Sequence, residues 1–348
     1  MEHGGLLSFN KEKTELIDFS SNINPLGFPK SLQETLLDNF NRFAVYPDIK
    51  YRNLKFSVSK YLDCKAENIL LGNGAVELID NFCNEASRII VCTPCFSEYI
   101  LRAEARKKPV LKIPCISDFL PDINSIEKNL RQNDLLILGN PNNPTGLSLK
   151  KEDVIKIYEL VKLKNAFLLL DEAFFEFCPF IYDSIHLFKK DRFKNICIIR
   201  AATKFFALPG IRLAYACTSP EIAGKISRNE LPWHINTAAE IAGCVIFEDN
   251  DYIQKSKNLI QTERKFLFEN LNKYGKSSVI PMVPYFSECN FILIKLLKHS
   301  DVQAHEFFLD KNILIRTCSS FAVLGNNHIR IAVKSRIENE MFISAIKI

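Results

Sequence analysis

The sequence predicts an α/β protein: a large domain on a mostly parallel sheet flanked by helices, then a smaller α+β domain at the C-terminal end. Three observations carry this. Short runs rich in Ile, Leu, Val and Phe recur between residues 88 and 217, each of strand length and apolar on both faces, as strands covered by helices on both sides must be. Helix-like stretches lie between several of them, and strand, helix, strand in alternation argues for parallel pairing. From about residue 250 the texture changes to one long amphipathic stretch and a set of short strands.

Taken in order, residues 1–22 form an arm, residues 23–249 the large domain and residues 250–348 the small one. "NILLGNGAVELIDNF" places Gly72 and Gly74 just before a helix beginning near Ala75. The runs "RIIVC", "PVLKI", "DLLIL", "AFLLL", "NICII" and "RLAYAC" read as strands. "SLKKEDVIKIYELVKLKN" reads as a helix, with apolar residues at helical spacing and Ser148 as its N-cap. "DYIQKSKNLIQTERKFLFENLNKYG" is one long amphipathic helix, followed by a strand "NFILIKL", a helix over 301–311 and the strands "ILIRT" and "HIRIAV". The arm is expected to join this smaller unit. No internal repeat or low-complexity linker interrupts the chain.

At 348 residues the chain is long enough for two ordinary domains. Its 47% hydrophobic and 24% charged residues are those of a globular protein, and a net charge of +5 without blocks of like charge points away from nucleic acid and membrane surfaces as partners. The N-terminus lacks the apolar core of a signal peptide, no run approaches a membrane span, and a cytoplasmic location is expected. Eleven cysteines are scattered mostly singly through apolar runs, as expected of reduced, buried small hydrophobes. "CTPC", Cys92 to Cys95, stands without a second pair or a His cluster, so neither a redox nor a metal site is expected there.

The chemistry gathers at the ends of the strands, where open α/β sheets bind ligands. "LLILGNPNNPTG" carries Asn143 into a turn, "FLLLDEAFFEF" delivers Asp171 and "CIIRAATK" delivers Lys204. Each has a bland reading: Asn-Pro turns and strand-end Asp caps are common, and a lysine in an apolar stretch can snorkel to water. Together they are what pyridoxal phosphate requires: a lysine of lowered pKa to form an imine, a carboxylate to keep the pyridine nitrogen protonated, and an amide for the ring oxygen. Gly74, Ala75 and Val76 open a helix whose free N–H groups suit a phosphate, with Arg212 as its guanidinium partner and the Thr203 hydroxyl close by. Phe96 in "PCFSEY" is a candidate to lie flat on the ring.

The set "NPNNPTG", "DEAFFEF" and "ATKFFALPGIRLAY" resembles the fold-type I pyridoxal-phosphate enzymes of the aminotransferase superfamily over nearly the whole chain. The resemblance implies that Lys204 carries the cofactor aldehyde and that Asp171 and Asn143 bind its ring nitrogen and O3′. It also implies that Tyr46 in "VYPD" reaches the cofactor phosphate of a second subunit, in a homodimer. Within the superfamily "HGG", "DFSSNINPLG", "LPWHINTAA", "ILIRTCSSF" and "RIAVKS" look more like the threonine-phosphate decarboxylases of cobalamin synthesis than the histidinol-phosphate aminotransferases. Phe174, where many aminotransferases carry tyrosine, points the same way. The chain departs from that pattern at Leu6, where the family usually has Asn after "HGG".

The implied reaction is decarboxylation of an O-phosphorylated hydroxy amino acid, threonine or serine phosphate being left open, since one methyl in a pocket is worth only about 1–3 kcal/mol. Arg316 in "ILIRTC" and Arg330 in "HIRIAV" suit a substrate with both a carboxylate and a phosphate. His3 and Asn24 are further candidates for substrate contact, and His234 is read as structural. The alternative enzyme is an aminotransferase acting on a phosphorylated amine or amino acid. A non-catalytic regulator on the same fold is disfavoured because lysine, aspartate and asparagine are all retained.

Overall fold

Strands buried on both faces need a core on each side, and the apolar runs divide residue by residue into two such cores. The structure, a computed structural model, describes residues 16–179 and 182–347. Its strands are β1 (Ile17–Asp18), β2 (Ile69–Gly72), β3 (Arg88–Thr93), β4 (Val110–Pro114), β5 (Asp134–Gly139), β6 (Phe167–Asp171), β7 (Ile196–Ala201) and β8 (Ala214–Thr218), followed by β9 (Met282–Pro284), β10 (Phe291–Leu296), β11 (Ile313–Leu314), β12 (Arg316–Thr317) and β13 (His328–Ala332). Leu136 and Leu138 of β5 pack with Leu168 and Leu170 of β6 and Ile196 and Ile198 of β7 on one side of the sheet. Leu135, Ile137, Leu169, Cys197 and Ile199, the alternating neighbours, pack on the other. Period-two alternation with both sets apolar is how such a strand fills two helix layers.

The large sheet has seven strands in the order β2-β8-β7-β6-β5-β3-β4. β8 alone runs against its neighbours, β2 and β7, and the remaining pairs are parallel. The carboxyl ends of β5, β6 and β7 therefore open on the same side.

The smaller sheet, β12-β13-β10-β9, is antiparallel throughout. It is covered by the 25-residue helix Asn250–Tyr274 and by the helices Asp301–Leu309 and Arg336–Ile346. The last two open with capping boxes, Ser300 with Gln303 and Ser335 with Glu338, which satisfy N–H groups a helix start leaves free. The arm joins this unit: β1 pairs in parallel with β11, and Ala332 donates to the carbonyl of Phe19.

Two local expectations are corrected. The helix that follows "NPNNPTG" begins at Lys151, with Lys150 as N-cap and no side-chain cap, and Ser148 Oγ has no hydrogen-bond partner among the described residues. The Ser148 backbone N–H is bound instead by Glu288 Oε2 at 3.0 Å, so the chain stays extended for longer than its polar residue suggests. "ILIRT" is not one strand: Ile313–Leu314 pairs with the arm and Arg316–Thr317 with β13, so the run changes partner at Ile315. No disulfide joins the described cysteines, and burial pushes the Cys95 thiol up to about 12. Among the described residues, no helix is long and apolar enough to cross a membrane.

Candidate active site

Three strand ends and one helix start converge on a cleft of about 230 Å³ between the two sheets. β5 runs into the turn that carries Asn143, β6 ends on Asp171, and β7 leads into the short helix Ala202–Phe205 that holds Lys204. Ala75 and Val76 come from the start of helix Ala75–Glu85, and Arg316 and Arg330 enter from the small sheet. Phe96, Thr203 and Arg212 complete the expected residues that line the cleft.

Lys204 is half-buried, and its amine is lowered to about 8, first by burial and then by the nearby charges of Arg330 and Arg212. Asp171 is buried, and that burial raises its carboxyl. Its Oδ2 accepts from Tyr99 Oη at 2.7 Å and its Oδ1 from the Ala173 N–H at 3.0 Å. No cation among the described residues forms an ion pair with it. Asn143 Oδ1 accepts from Arg330 Nη1, which leaves the amide nitrogen of Asn143 for another acceptor. Phe96 meets Tyr99 edge-on with ring centroids 5.6 Å apart.

Gly74 is itself part of the cradle. It caps its helix at φ +81, a conformation only glycine adopts freely, and a Cβ there would fall 1.9 Å from Arg212 Nη2. The guanidinium therefore lies against the helix start, where N–H groups and the positive helix end already favour an anion.

Arg330 and Arg316 are each about 5% exposed or less. Arg330 donates to Asn143 and, at 3.1 Å, to the Ser20 carbonyl, its charge lies over the Phe291 ring, and its Nε has no hydrogen-bond partner among the described residues. Burial lowers it to about 10. No carboxylate among the described residues pairs with it. Arg316 donates to Ser320 Oγ at 2.9 Å and faces the Phe321 ring.

Two described residues expected at the site, Asn24 and Tyr46, do not line the cleft. Asn24 is buried below it, its amide donating to the Phe205 carbonyl and to Ser256 Oγ, both at 2.7 Å, while its N–H binds the Lys204 carbonyl. It fastens the "SSNINP" loop to the helix of Lys204, and the cleft is lined by Ser20, Ser21 and Asn22 instead. Tyr46 is 77% exposed and stacks on Trp233 at 4.5 Å, away from the cleft of its own chain. His3 lies outside the described residues. His234 binds Glu77 Oε2 at 3.0 Å, outside the cleft. Tyr99 was not legible as a site residue, although its i,i+3 spacing from Phe96 on a helix start is a signal that the two share a face.

Residues 14–346 match the aminotransferase class I and II family. The chain is 36% identical over 334 residues to a protein of Caldanaerobacter subterraneus provisionally named threonine-phosphate decarboxylase, covering 94% of this chain and 88% of that protein. It is 30% identical over 348 residues to the threonine-phosphate decarboxylase of Salmonella typhimurium, covering 96% and 91%. Among solved structures, the histidinol-phosphate aminotransferase from Clostridium acetobutylicum superposes with a TM-score of 0.90 at 37% identity, over 95% of this chain and 98% of that one.

Proposed function

The chain belongs to the aminotransferase class I and II family, and from that premise we propose that it uses pyridoxal phosphate to decarboxylate threonine phosphate or serine phosphate. The products are CO₂ and an amino-alcohol phosphate of the kind found in the nucleotide loop of cobamides. The observation that carries this reading is the buried pair Arg316 and Arg330, which the small sheet brings into the same cleft as Lys204, Asp171 and Arg212. Two guanidinium groups withdrawn from water suit a small substrate bearing two anionic groups.

The residues fit the cofactor. Asp171 is a buried carboxylate without an ion-pair partner among the described residues, which a protonated ring nitrogen would match, and the Gly74–Arg212 contact is a phosphate cradle that a side chain at position 74 would fill. Thr203 and the N–H groups of Ala75 and Val76 would join that cradle, Asn143 would offer its amide nitrogen to the ring oxygen, and Phe96 would lie beside the ring. When bound, pyridoxal phosphate supplies an electron sink for the bond broken at the substrate Cα.

The chain's own residues do the rest. Lys204, its amine near 8, has a far larger uncharged fraction at neutral pH than an ordinary lysine, so it would hold the cofactor and, once free, would deliver a proton to Cα. Arg316 and Arg330 hold the carboxylate and phosphate and so set which Cα bond lies toward the sink. Phe174 makes one apolar wall, packed edge-on against Phe291 at 5.1 Å, and offers no hydroxyl to O3′. The bond to the carboxylate carbon breaks, CO₂ leaves, and a proton replaces it.

We also place a second copy of the chain against the exposed apolar face formed by Phe40, Val45, Tyr46 and Trp233, which are 72%, 63%, 77% and 42% exposed. The names of the Salmonella and Caldanaerobacter relatives support the decarboxylase. The Clostridium structure supports a second reading, an aminotransferase for histidinol phosphate. The test compares substrates on the loaded protein. Phosphothreonine or phosphoserine without any oxo acid should turn over repeatedly, and histidinol phosphate with 2-oxoglutarate should not; the reverse pattern overturns the decarboxylase.

A further inference from the structure

Arg316 owes its place in the cleft to a loop, and a buried carboxylate outside the cleft holds that loop. The segment between β12 and β13 carries Ser320, whose Oγ accepts from Arg316 Nη2 at 2.9 Å, and Phe321, which lines the cleft with its ring centroid 5.6 Å from the same guanidinium. Asp301, the first residue of the helix Asp301–Leu309, is fully buried. Its Oδ2 accepts from the Ser319 N–H at 2.9 Å, and its own N–H donates to the Asn326 carbonyl at 2.6 Å. One residue therefore ties the loop down near both its ends. Phe321 and Leu324, which lie between those two bonds, pack with Cys318 and Leu293.

The helix itself does not need this carboxylate as a cap, because Ser300 and Gln303 already form its capping box. Withdrawing a carboxylate from water is costly unless its oxygens find donors. Asp301 Oδ1 has no hydrogen-bond partner among the described residues, which leaves the Ser319 N–H as the contact that the side chain makes there. We propose that Asp301 is a positioning residue for substrate binding: by holding the Ser319 N–H it sets the turn that presents Ser320 and Phe321 to Arg316, and so the direction in which that guanidinium meets one anionic group of the substrate. The inference rests on the reading of Arg316 as a substrate-binding group.

A double-mutant cycle on the loaded protein with phosphothreonine tests it. Asp301→Ala removes the acceptor and Asp301→Asn keeps one; each is made in wild type and in Arg316→Ala, and KM, kcat and the dissociation constant for pyridoxal phosphate are measured. Loss of a hydrogen bond to a charged group, acting through Arg316, predicts KM raised about tenfold in Asp301→Ala with cofactor affinity unchanged, and recovery to within about threefold of wild type in Asp301→Asn. Once Arg316 is gone, Asp301→Ala should raise KM no further. Wild-type KM in Asp301→Ala, or an equal rise with and without Arg316, overturns the proposal. Should Asp301→Ala not fold, Asp301→Leu, which fills the site without an acceptor, takes its place in the cycle. Wild-type KM in Arg316→Ala alone would remove that arginine from substrate binding and overturn the reading beneath the proposal, a result distinct from failure at Asp301. If wild type turns over histidinol phosphate and not phosphothreonine, the decarboxylase falls, and the same cycle read with histidinol phosphate still decides on Asp301.

Discussion

The Lys204 amine is withdrawn from water, forms no ion pair among the described residues and has the Arg330 and Arg212 guanidinium groups for neighbours, which outweigh the pull of Asp18, and that is why its proton is loosely held. The sign follows directly. Burial and like charge disfavour the protonated form, so the uncharged amine becomes dominant as pH rises through about 8 rather than near the ordinary 10.5. The rate at which cofactor-free protein captures pyridoxal phosphate, fixed by borohydride and read by mass spectrometry at Lys204, is expected to rise to half its maximum near pH 8 and then level. A rate still climbing at pH 10 would place the lysine in an ordinary aqueous environment. Lys204, Asp171 and Asn143 were legible in the sequence because each follows a run too apolar to be anything but a buried strand, and polar residues at such ends have one open place to go. Asn24 was misread for the opposite reason. It and Asn22 are two positions apart in one loop, and which of them faces the cleft is decided by hydrogen bonds to Phe205 and Ser256, more than 180 residues away.

At the scale of elements, the ends of β6 and β7 are tied together by ions as well as by the sheet. Arg200, on β7, bonds Glu172 Oε2 at 2.9 Å and Asp183 Oδ1 at 2.8 Å, with its guanidinium 3.6 Å from the centroid of the Phe175 ring. Glu172 directly follows Asp171, so this cluster holds the strand end on which the cleft depends. Arg200→Met would leave Glu172 buried with its cation gone, at an expected cost of about 3–5 kcal/mol. Equilibrium denaturation measures it, and a loss below about 1 kcal/mol would mean the cluster is easily replaced by packing. The two-sided strands were readable from their alternation, and the long helix Asn250–Tyr274 from its period. The break in "ILIRT" was not, because Ile313 and Thr317 look alike to a pattern but pair with strands almost 300 residues distant in one case and about 12 in the other.

For the whole molecule, the cleft takes Asp171 from the end of β6 and Lys204 from the helix after β7, both on the mostly parallel sheet's side, and both buried arginines from the antiparallel sheet, so neither unit lines it alone. The exposed face around Tyr46 and Trp233 predicts a dimer in solution. Sedimentation equilibrium should give twice the chain mass, and Trp233→Asp, which puts a charge in that face, should shift it toward monomer; a monomeric wild type would contradict the interface.

What separates decarboxylation from transamination is the bond broken at Cα, and a single turnover reads it directly. With enzyme in excess over phosphothreonine carrying ¹³C in its carboxyl group, in D₂O and with no oxo acid, the label is predicted to leave entirely as ¹³CO₂. The cofactor absorbance should return to its starting state, and the amine product should carry one deuterium on the carbon that bore the carboxylate. Label retained in a 2-oxo acid, with the cofactor left as pyridoxamine phosphate, would contradict the decarboxylase and make the protein an aminotransferase.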